Sequence, residues 1–313
     1  MSNTPLVSVR LMVYQHEAYL KQAIESILSQ EVDFTVEIVI GDDFSQDQSL
    51  EIAKSYKNQG NFIFNVLERP VGGNYFKNRQ SKKQTFNFAD ILNNCMGKYI
   101  ALLDGDDYWN DYKKLALQVE YLENNQMTSI CCHGSEVIHE GINPPNDNRK
   151  TFYDIPKTGN FEFSFADELK NHFFHTGSIL FRKSKKFHHL TGFIQNQFVG
   201  DIPLILFLLT EGNGFYFERK MCVKRRNIGG ITANPIHNKN KTIGMLSVWR
   251  SVLKISPPIY RREILERIAG YQRSLSKKHF HNKNYLKGIR LFVIAIMKNP
   301  NWLIQKVYKI NEN

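Results

Sequence analysis

Three aspartates within four positions are the main chemical feature of the sequence. Asp104, Asp106 and Asp107 directly follow an apolar run from Tyr99 to Leu103. This run has the length and composition of a buried strand, and ligands of open α/β sheets bind just beyond the carboxyl ends of strands. Clustered carboxylates repel one another unless a cation binds, and their hard oxygen atoms suit Mg²⁺ or Mn²⁺, which also take water and substrate phosphates as ligands. We therefore expect a divalent cation and a diphosphate-bearing substrate here; the alternative is a turn whose aspartates cap the next helix.

The N-terminal half alternates between strand and helix patterns. A strand and short loop at 5–19 lead into a helix at 20–30, a second strand from 37 ends in acidic residues before a helix at 48–57, and strands at 62–67 and 99–103 flank a helix at 86–95. Such alternation specifies a parallel sheet with right-handed crossovers. The acidic residues that follow successive strands should then lie at one edge of this sheet.

Four sequence blocks agree in order and spacing with one family. They are the stretch from Val7 to Glu17, the turn from Asp42 to Asp47, the Asp-X-Asp (DXD) triplet 104–106, and the stretch from Val199 to Pro203. In these blocks the chain resembles the inverting glycosyltransferases of family 2. The resemblance covers roughly residues 5 to 234. It implies the α/β GT-A nucleotide-sugar-binding fold, with a mostly parallel central sheet, as a catalytic domain over residues 1–234.

The resemblance also implies roles for individual residues. Tyr14 would pack near the uracil of a UDP-sugar, Asp42 would accept a hydrogen bond from the base, and Asp104 would contact the ribose. Asp106 would hold the Mg²⁺ or Mn²⁺ that offsets charge on the departing UDP. Asp201 would be the base that takes the proton from the acceptor hydroxyl. The alternative is a structural role, in which Asp201 caps a helix that has Pro203 in its first turn, and both roles could hold together.

Four more residues are assigned to the site. Glu17, in the opening loop, and Arg226, whose guanidinium can bind phosphate oxygens, are assigned to nucleotide-sugar binding. Trp109 and His175 are assigned to acceptor or sugar contacts, with a core position as the alternative for each. Arg225 could replace Arg226 in contacting the diphosphate.

Two stretches depart from the family pattern. Many relatives carry a metal- or diphosphate-binding His at the position that aligns with Asn227, so a third protein contact to the metal is in question. The stretch from Asn74 to Gln84 is longer and more basic than usual. Its basic residues could close over the diphosphate or meet an anionic acceptor, but a charge run is most often a solvated loop; they are Lys77, Arg79, Lys82 and Lys83.

The C-terminal region, residues 235–313, carries the positive charge of the chain. It holds 16 of the 41 Lys and Arg residues and 3 of the 30 Asp and Glu residues, so that its formal charge is +13 and the rest of the chain carries −2. Apolar residues at helical spacing predict two basic amphipathic helices, one around 260–275 and one around 286–296, and Pro300 separates a short last segment that holds Trp302, Leu303 and Val307. The helices could form a cap packed on the catalytic domain or on a second copy, or residues 258–310 could bind an anionic membrane surface. Nucleic-acid binding is not expected, because no zinc pattern or RNA-recognition signature accompanies the basic residues.

Composition indicates a cytoplasmic protein, with peripheral association with the inner face of the cell membrane as an option. The four cysteines show no metal-ligand spacing, no signal peptide is visible, and no apolar run reaches the roughly 20 residues that span a bilayer. We expect an inverting glycosyltransferase that moves a sugar from a UDP-sugar to a saccharide or lipid-linked saccharide in surface polysaccharide or lipopolysaccharide synthesis. The alternatives are a catalytically silent nucleotide-sugar-binding protein and a sugar-1-phosphate nucleotidyltransferase, although the Gly-rich phosphate loop of the latter is missing from residues 13–17.

Overall fold

The computed structural model of the protein describes residues 4–81, 85–140, 155–227, 235–300 and 302. The chain divides into two compact units, one formed by Met1–Asn196 and Gly200–Ala233 and the other by Gln197–Val199 and Asn234–Asn313. Strands of the first unit are β1 Val7–Val13, β2 Val36–Asp42, β3 Phe62–Val66, β4 Tyr99–Asp104, β5 Tyr108–Trp109, β6 Thr128–His139, β7 Phe161–Phe163, β8 Leu180–Arg182 and β9 Asn213–Arg226. Its helices are α1 Leu20–Leu28, α2 Ser49–Ser55, α3 Asn74–Ser81, α4 Thr85–Asn94, α5 Lys114–Asn124, α6 Phe165–Lys170, α7 Phe187–Ile194 and α8 Asp201–Leu208.

The first unit is built on a mixed sheet with the strand order β3-β2-β1-β4-β8-β6-β9-β5, and β7 pairs with β9. The strands β3, β2, β1 and β4 are parallel, as their alternation with helices predicts. Every residue of β2 is buried, as expected for a parallel strand covered on both faces. On α1, Leu20, Ala23, Ile24 and Ile27 recur at helical spacing and are fully buried.

The second half of the sheet is mixed. Strand β8 is antiparallel to β4 and β6, β6 is parallel to β9, and the short strands β5 and β7 are antiparallel to β9. The fold class is therefore the predicted GT-A-like α/β fold, but the sheet is parallel in its first half only. Strands of two or three residues leave too weak a periodic pattern for their direction to be predicted.

The basic stretch that we expected to be a loop contains a helix, α3. Asp43 fixes this helix to the end of β2: Tyr75 Oη donates to Asp43 Oδ1 at 2.9 Å, and Arg79 donates to Asp43 through Nε and Nη2 at 2.9 and 2.7 Å. The guanidinium of Arg69 lies 3.8 Å from the centre of the Tyr75 ring. Arg79 thus has a structural partner, while Lys82 and Lys83 lie outside the described residues.

The second unit contains α9 Pro235–Ile255, α10 Arg261–His281 and α11 Tyr285–Lys298. The last two correspond to the predicted amphipathic helices, and α9 was not predicted. Trp249 and Val252 of α9 and Ile264 and Ile268 of α10 are buried. No helix among the described residues has the length and apolarity that crossing a bilayer requires. The predicted last segment lies outside the described residues except for Trp302.

The α3 anchor predicts a stability effect. Replacing Asp43 by Ala leaves the partly buried polar groups of Arg79 and Tyr75 without their carboxylate, so we expect the free energy of unfolding to fall by about 1–3 kcal/mol. Urea denaturation measures this change. Asp33→Ala is the matched control, because Asp33 is exposed; an equal loss in both variants would contradict the anchoring role.

Candidate active site

Register at the centre of the parallel sheet brings the acidic residues together. Val13 lies opposite Asp42 in the pairing of β1 with β2, and Met12 lies opposite Asp104 in the pairing of β1 with β4. Tyr14, directly after β1, is 52% exposed at the same edge. Three residues predicted from separate sequence blocks therefore share the carboxyl edge of the sheet, where α/β proteins bind ligands.

Asp42 sits in a tight turn after β2. Its Oδ2 accepts from the Ser45 N–H at 3.0 Å and its Oδ1 accepts from Ser45 Oγ at 2.5 Å. Burial raises the pKa of Asp42, although the Ser45 hydrogen bonds oppose the increase. Phe44, between them, has a φ of 63°, in the left-handed region. The turn holds the Asp42 carboxyl in one orientation, as a group that recognises a base requires.

The loop that contains Tyr14 is tied to this turn. The Gln15 N–H donates to Ser45 Oγ at 2.9 Å, and the Glu17 N–H donates to Asp47 Oδ2 at 3.0 Å. The Glu17 carboxylate accepts from the Gln48 N–H at 2.9 Å, just before α2 begins. Glu17 therefore has a structural contact, and its binding to a nucleotide sugar stays a prediction.

Asp104 is paired with an arginine inside the sheet. Arg10, in the middle of β1, is fully buried, and its Nη2 donates to Asp104 Oδ1 at 2.9 Å. Its guanidinium lies 4.5 Å from the centre of the Phe88 ring. A buried charge of this kind is costly unless it is paired, so the ion pair fixes one oxygen of Asp104. The side chain of Asp104 remains 27% exposed.

Asp106 has the weakest protein contacts of the three aspartates. Asn227 Nδ2 donates to its Oδ2 at 3.3 Å, and His16 Nε2 lies 3.9 Å from its Oδ1. Burial, followed by the charge of Asp107, raises the pKa of Asp106 to about 6, against the opposing effect of His16. The carboxyl thus lacks a full positive partner. Asn227 therefore lies beside Asp106 through its amide nitrogen.

Asp107 is turned into the protein. Its Oδ1 accepts from the Arg225 N–H at 2.7 Å. His175 Nδ1 accepts from the Gly177 N–H at 3.2 Å, so that Nε2 carries the hydrogen and donates to Asp107 Oδ2, also at 3.2 Å. Burial lowers the pKa of His175 to about 3 and raises that of Asp107 to about 7. His175 therefore holds Asp107 as a neutral imidazole, and this buried contact replaces the predicted contact of His175 with acceptor or sugar.

The donor set fits a hard divalent cation that takes few protein ligands. Across the described ranges, no group of three or more His, Cys, Asp or Glu side chains is arranged to hold a metal. The protein alone would offer the Asp106 carboxylate, with the His16 ring next to it. His16 Nδ1 is buried without a hydrogen-bond partner. Mg²⁺ and Mn²⁺ accept such a sparse set when substrate phosphates and water complete their coordination.

Asp201 begins α8, and its Oδ1 accepts from the Ile202 N–H at 2.8 Å. His172 Nδ1 lies 2.7 Å from Glu168 Oε1. Burial lowers the pKa of His172, but the charges of Glu168 and Asp201 raise it above its usual value. The charge of Lys224 lowers the pKa of both His172 and Asp107. Lys224 therefore influences both Asp107 and the histidine that is next to Glu168.

Two residues considered for ligand contacts are engaged by protein groups instead. Trp109 is 3% exposed, its Nε1 donates to the Gly177 carbonyl at 2.9 Å, and Lys114 Nζ lies 4.1 Å from the centre of its ring. This burial argues against the predicted sugar contact. Arg225 is also occupied: it donates to Glu140 and Gln22 and to the Asp106 carbonyl. Arg226 is only partly buried and stays the predicted diphosphate residue.

Sequence reasoning missed Arg10 and His16. The signal for Arg10 was a single charged residue in an otherwise uncharged strand. His16 approaches the aspartates only because residue 105 is glycine, where a Cβ atom would lie 2.8 Å from His16 Nδ1. The Gly105 N–H also donates to the Met12 carbonyl at 2.9 Å.

The family model described as glycosyl transferase family 2 matches residues 8–186. The chain belongs to this family of glycosyltransferases. An uncharacterized protein of Mycobacterium tuberculosis is 29% identical over 235 residues, which are 75% of this chain and 63% of that protein. The chain thus spans less than two thirds of that relative's length.

Two solved structures share the fold. S. aureus TarS in complex with UDP-GlcNAc has a TM-score of 0.62 at 16% identity, over 93% of this chain and 79% of that chain. The mannosyltransferase PcManGT from Pyrobaculum calidifontis, in complex with GDP-Man and Mn²⁺, has a TM-score of 0.56 at 13% identity, over 99% of this chain and 81% of that chain. At these identities the likeness concerns the fold.

The raised pKa values predict how stability depends on pH. Between the unfolded value of 3.8 and the folded values of about 6 and 7, Asp106 and Asp107 bind more protons in the folded state, so their contribution to stability falls as pH rises through this window. We expect the stability advantage of the metal-free Asp106→Asn variant over the wild type to grow by about 1–3 kcal/mol as pH rises from about 4 to about 6, and to stay constant above that. Urea denaturation in EDTA at several pH values measures the difference. Asp33→Asn is the control; the prediction fails if Asp106→Asn parallels the wild type across the range.

Proposed function

We propose that the chain transfers a sugar, with inversion at the anomeric carbon, from a UDP-sugar to an acceptor hydroxyl, with the help of Mg²⁺ or Mn²⁺. The observation that carries the proposal is the convergence of Asp42, Asp104 and Asp106 at one sheet edge, with three different sets of partners. This arrangement offers a fixed acceptor for the base, an anchored carboxylate for the ribose and a carboxylate available to a cation. TarS with UDP-GlcNAc and PcManGT with GDP-Man and Mn²⁺ support a nucleotide-sugar donor and a metal.

Each residue would contribute a separate step of binding. Tyr14 packs against the base and Asp42 accepts its N–H. Asp104, held by Arg10 through one oxygen, offers the other oxygen to a ribose hydroxyl. Asp106, with Asn227 beside it, holds the cation, which when bound stabilises negative charge on the departing diphosphate. Arg226 binds diphosphate oxygens.

Asp201 would act as the base. Its Oδ1 already accepts the Ile202 N–H, which fixes the carboxylate and leaves Oδ2 to take the proton of the acceptor hydroxyl. The acceptor oxygen then forms its bond to the anomeric carbon on the face opposite the diphosphate, whose bond to that carbon breaks with its electron pair. A single displacement of this kind inverts the anomeric centre. We place the acceptor among the saccharides or lipid-linked saccharides of surface polysaccharide or lipopolysaccharide synthesis at the inner face of the membrane.

Nucleotide choice is tested first. Ligand binding to the native state raises apparent stability by mass action, by about 2.7 kcal/mol at a hundred times Kd. We expect UDP with Mn²⁺ to raise Tm, and GDP, CDP or UDP in EDTA to do so much less. Differential scanning fluorimetry measures the shifts. Stabilisation by GDP instead of UDP would keep the site and change the donor, and no stabilisation by any nucleotide would contradict the proposal.

The role assignment predicts that two variants separate binding from transfer. Asp106→Asn should remove the Mn²⁺-dependent part of UDP binding, whereas Asp201→Asn should bind UDP as the wild type does and lose about 10²–10⁴-fold in kcat. Isothermal titration calorimetry and release of UDP from a panel of UDP-sugars measure the two effects.

Asp167→Asn is the matched control for Asp201→Asn, because Asp167 accepts a backbone hydrogen bond at the start of α6, as Asp201 does at the start of α8, and has no proposed part in transfer. If both Asp106→Asn and Asp201→Asn lost UDP binding equally, the assignment of a separate base would be wrong. Full nucleotide binding without transfer in the wild type would instead favour a silent binding protein.

A further inference from the structure

Helix α11 exposes a stripe of large apolar side chains. Leu286, Ile289, Val293 and Met297 are 85%, 53%, 48% and 77% exposed. Their spacing of three, four and four residues places them on one face of the helix. Single exposed apolar residues are normal in soluble proteins, but a continuous stripe marks an interaction surface. We call these four residues the α11 stripe.

The opposite face of α11 is fixed against α10. Gly288 and Ala295 are buried, and the Gly288 carbonyl accepts from Ser276 Oγ at 2.8 Å. A Cβ atom at Gly288 would lie 3.2 Å from the ring of Phe280, so the two helices approach closely here. Lys298 Nζ donates to Gln272 Oε1 at 3.1 Å. Because this packing sets the rotation of α11, the stripe faces outward within the unit.

Positive charge accompanies the stripe. Lys287 and Arg290 are exposed on α11, next to stripe residues along the helix surface, and Lys283 is exposed just before it. The sequence from 267 to 311 contains no Asp or Glu. A second copy of this chain is a poor occupant, because a twofold interface would bring these like charges together. An apolar face edged by uncompensated cations matches the headgroup and acyl boundary of an anionic bilayer.

We propose that the α11 stripe binds the surface of anionic lipid bilayers, with the helix in the plane of the interface and Lys283, Lys287 and Arg290 at the headgroups. The inference does not depend on the transfer reaction, but it would bring a transferase to lipid-linked acceptors. Each basic residue near an anionic surface strengthens binding by a factor of about five, and salt screens this contribution.

The test is sedimentation of the full chain with extruded vesicles. We expect binding to phosphatidylcholine vesicles with about one third phosphatidylglycerol at low salt, at least about tenfold weaker binding in about 0.5 M NaCl, and weak binding to pure phosphatidylcholine. Absence of binding to the anionic vesicles at low salt would overturn the proposal.

Two pairs of variants assign the binding to α11. Leu286→Gln/Val293→Gln removes half of the stripe, and its control Ile243→Gln/Ile259→Gln changes two apolar residues that are 58% and 79% exposed elsewhere. Lys287→Gln/Arg290→Gln removes two charges beside the stripe, and its control removes the same number at the exposed residues Arg261 and Arg262. We expect each test pair to weaken vesicle binding about tenfold or more and each control by less than about threefold. Circular dichroism verifies that all variants keep their helices.

Equal losses in test and control pairs would show non-specific attraction and refute a role of the stripe. Light scattering tests whether the stripe binds a second copy of the chain instead. A wild type that is a dimer and does not bind vesicles, together with a monomeric Leu286→Gln/Val293→Gln variant, would assign the stripe to a second copy. Asp201→Asn should bind vesicles as the wild type does. Failure of the transfer reaction and failure of membrane binding are therefore separable.

Discussion

Repulsion among the three carboxylates at the end of β4 is the constraint around which the site is arranged. Two of the carboxylates have close partners that reduce this repulsion. Asp104 is paired with the buried guanidinium of Arg10, and Asp107 accepts hydrogen bonds from a backbone N–H and from the neutral imidazole of His175. Asp106 receives only long contacts, and burial followed by the charge of Asp107 raises its pKa to about 6. Two of the three carboxyl groups thus have close partners within the protein. The third carboxyl group is the one to which the proposed function assigns a cation.

The residues that relieve the repulsion also hold the site together. The Arg225 backbone binds Asp107, and its guanidinium binds Glu140, Gln22 and the Asp106 carbonyl. One side chain therefore connects α1, the turn after β4 and the end of β9. The Arg225 side chain is 6% exposed, so it is committed to these contacts. Pre-organisation of this kind keeps the carboxylates in place before any ligand binds.

The sequence was informative where a local pattern determines the structure. Alternating strands and helices predicted the parallel half of the sheet, and acids at strand ends predicted where the site lies. It was uninformative where the partner is distant in sequence. Helix α3 depends on a contact between Asp43 and Arg79, which are 36 positions apart. The hydrogen bond that fixes the buried Trp109 goes to the carbonyl of Gly177, 68 positions away. The sequence pattern of a basic run is the same whether its side chains face solvent, substrate or another part of the protein. The same holds for an aromatic residue next to acidic ones, so the pattern alone does not predict the contact.

Charge balance explains the difference between the two units. In the first, nearly equal numbers of acidic and basic residues allow ion pairs such as that of Arg10 with Asp104 to form inside one fold. In the second, the basic residues of α11 have no acidic residue from 267 to 311 to pair with. Pairing within that stretch cannot compensate them, and the apolar residues of the α11 stripe beside them are exposed. The surface of an anionic lipid bilayer offers negative charge at its headgroups and an apolar interior beneath them. It can therefore pair with the basic residues and cover the apolar ones, so the composition of this unit and its packing point to the same partner.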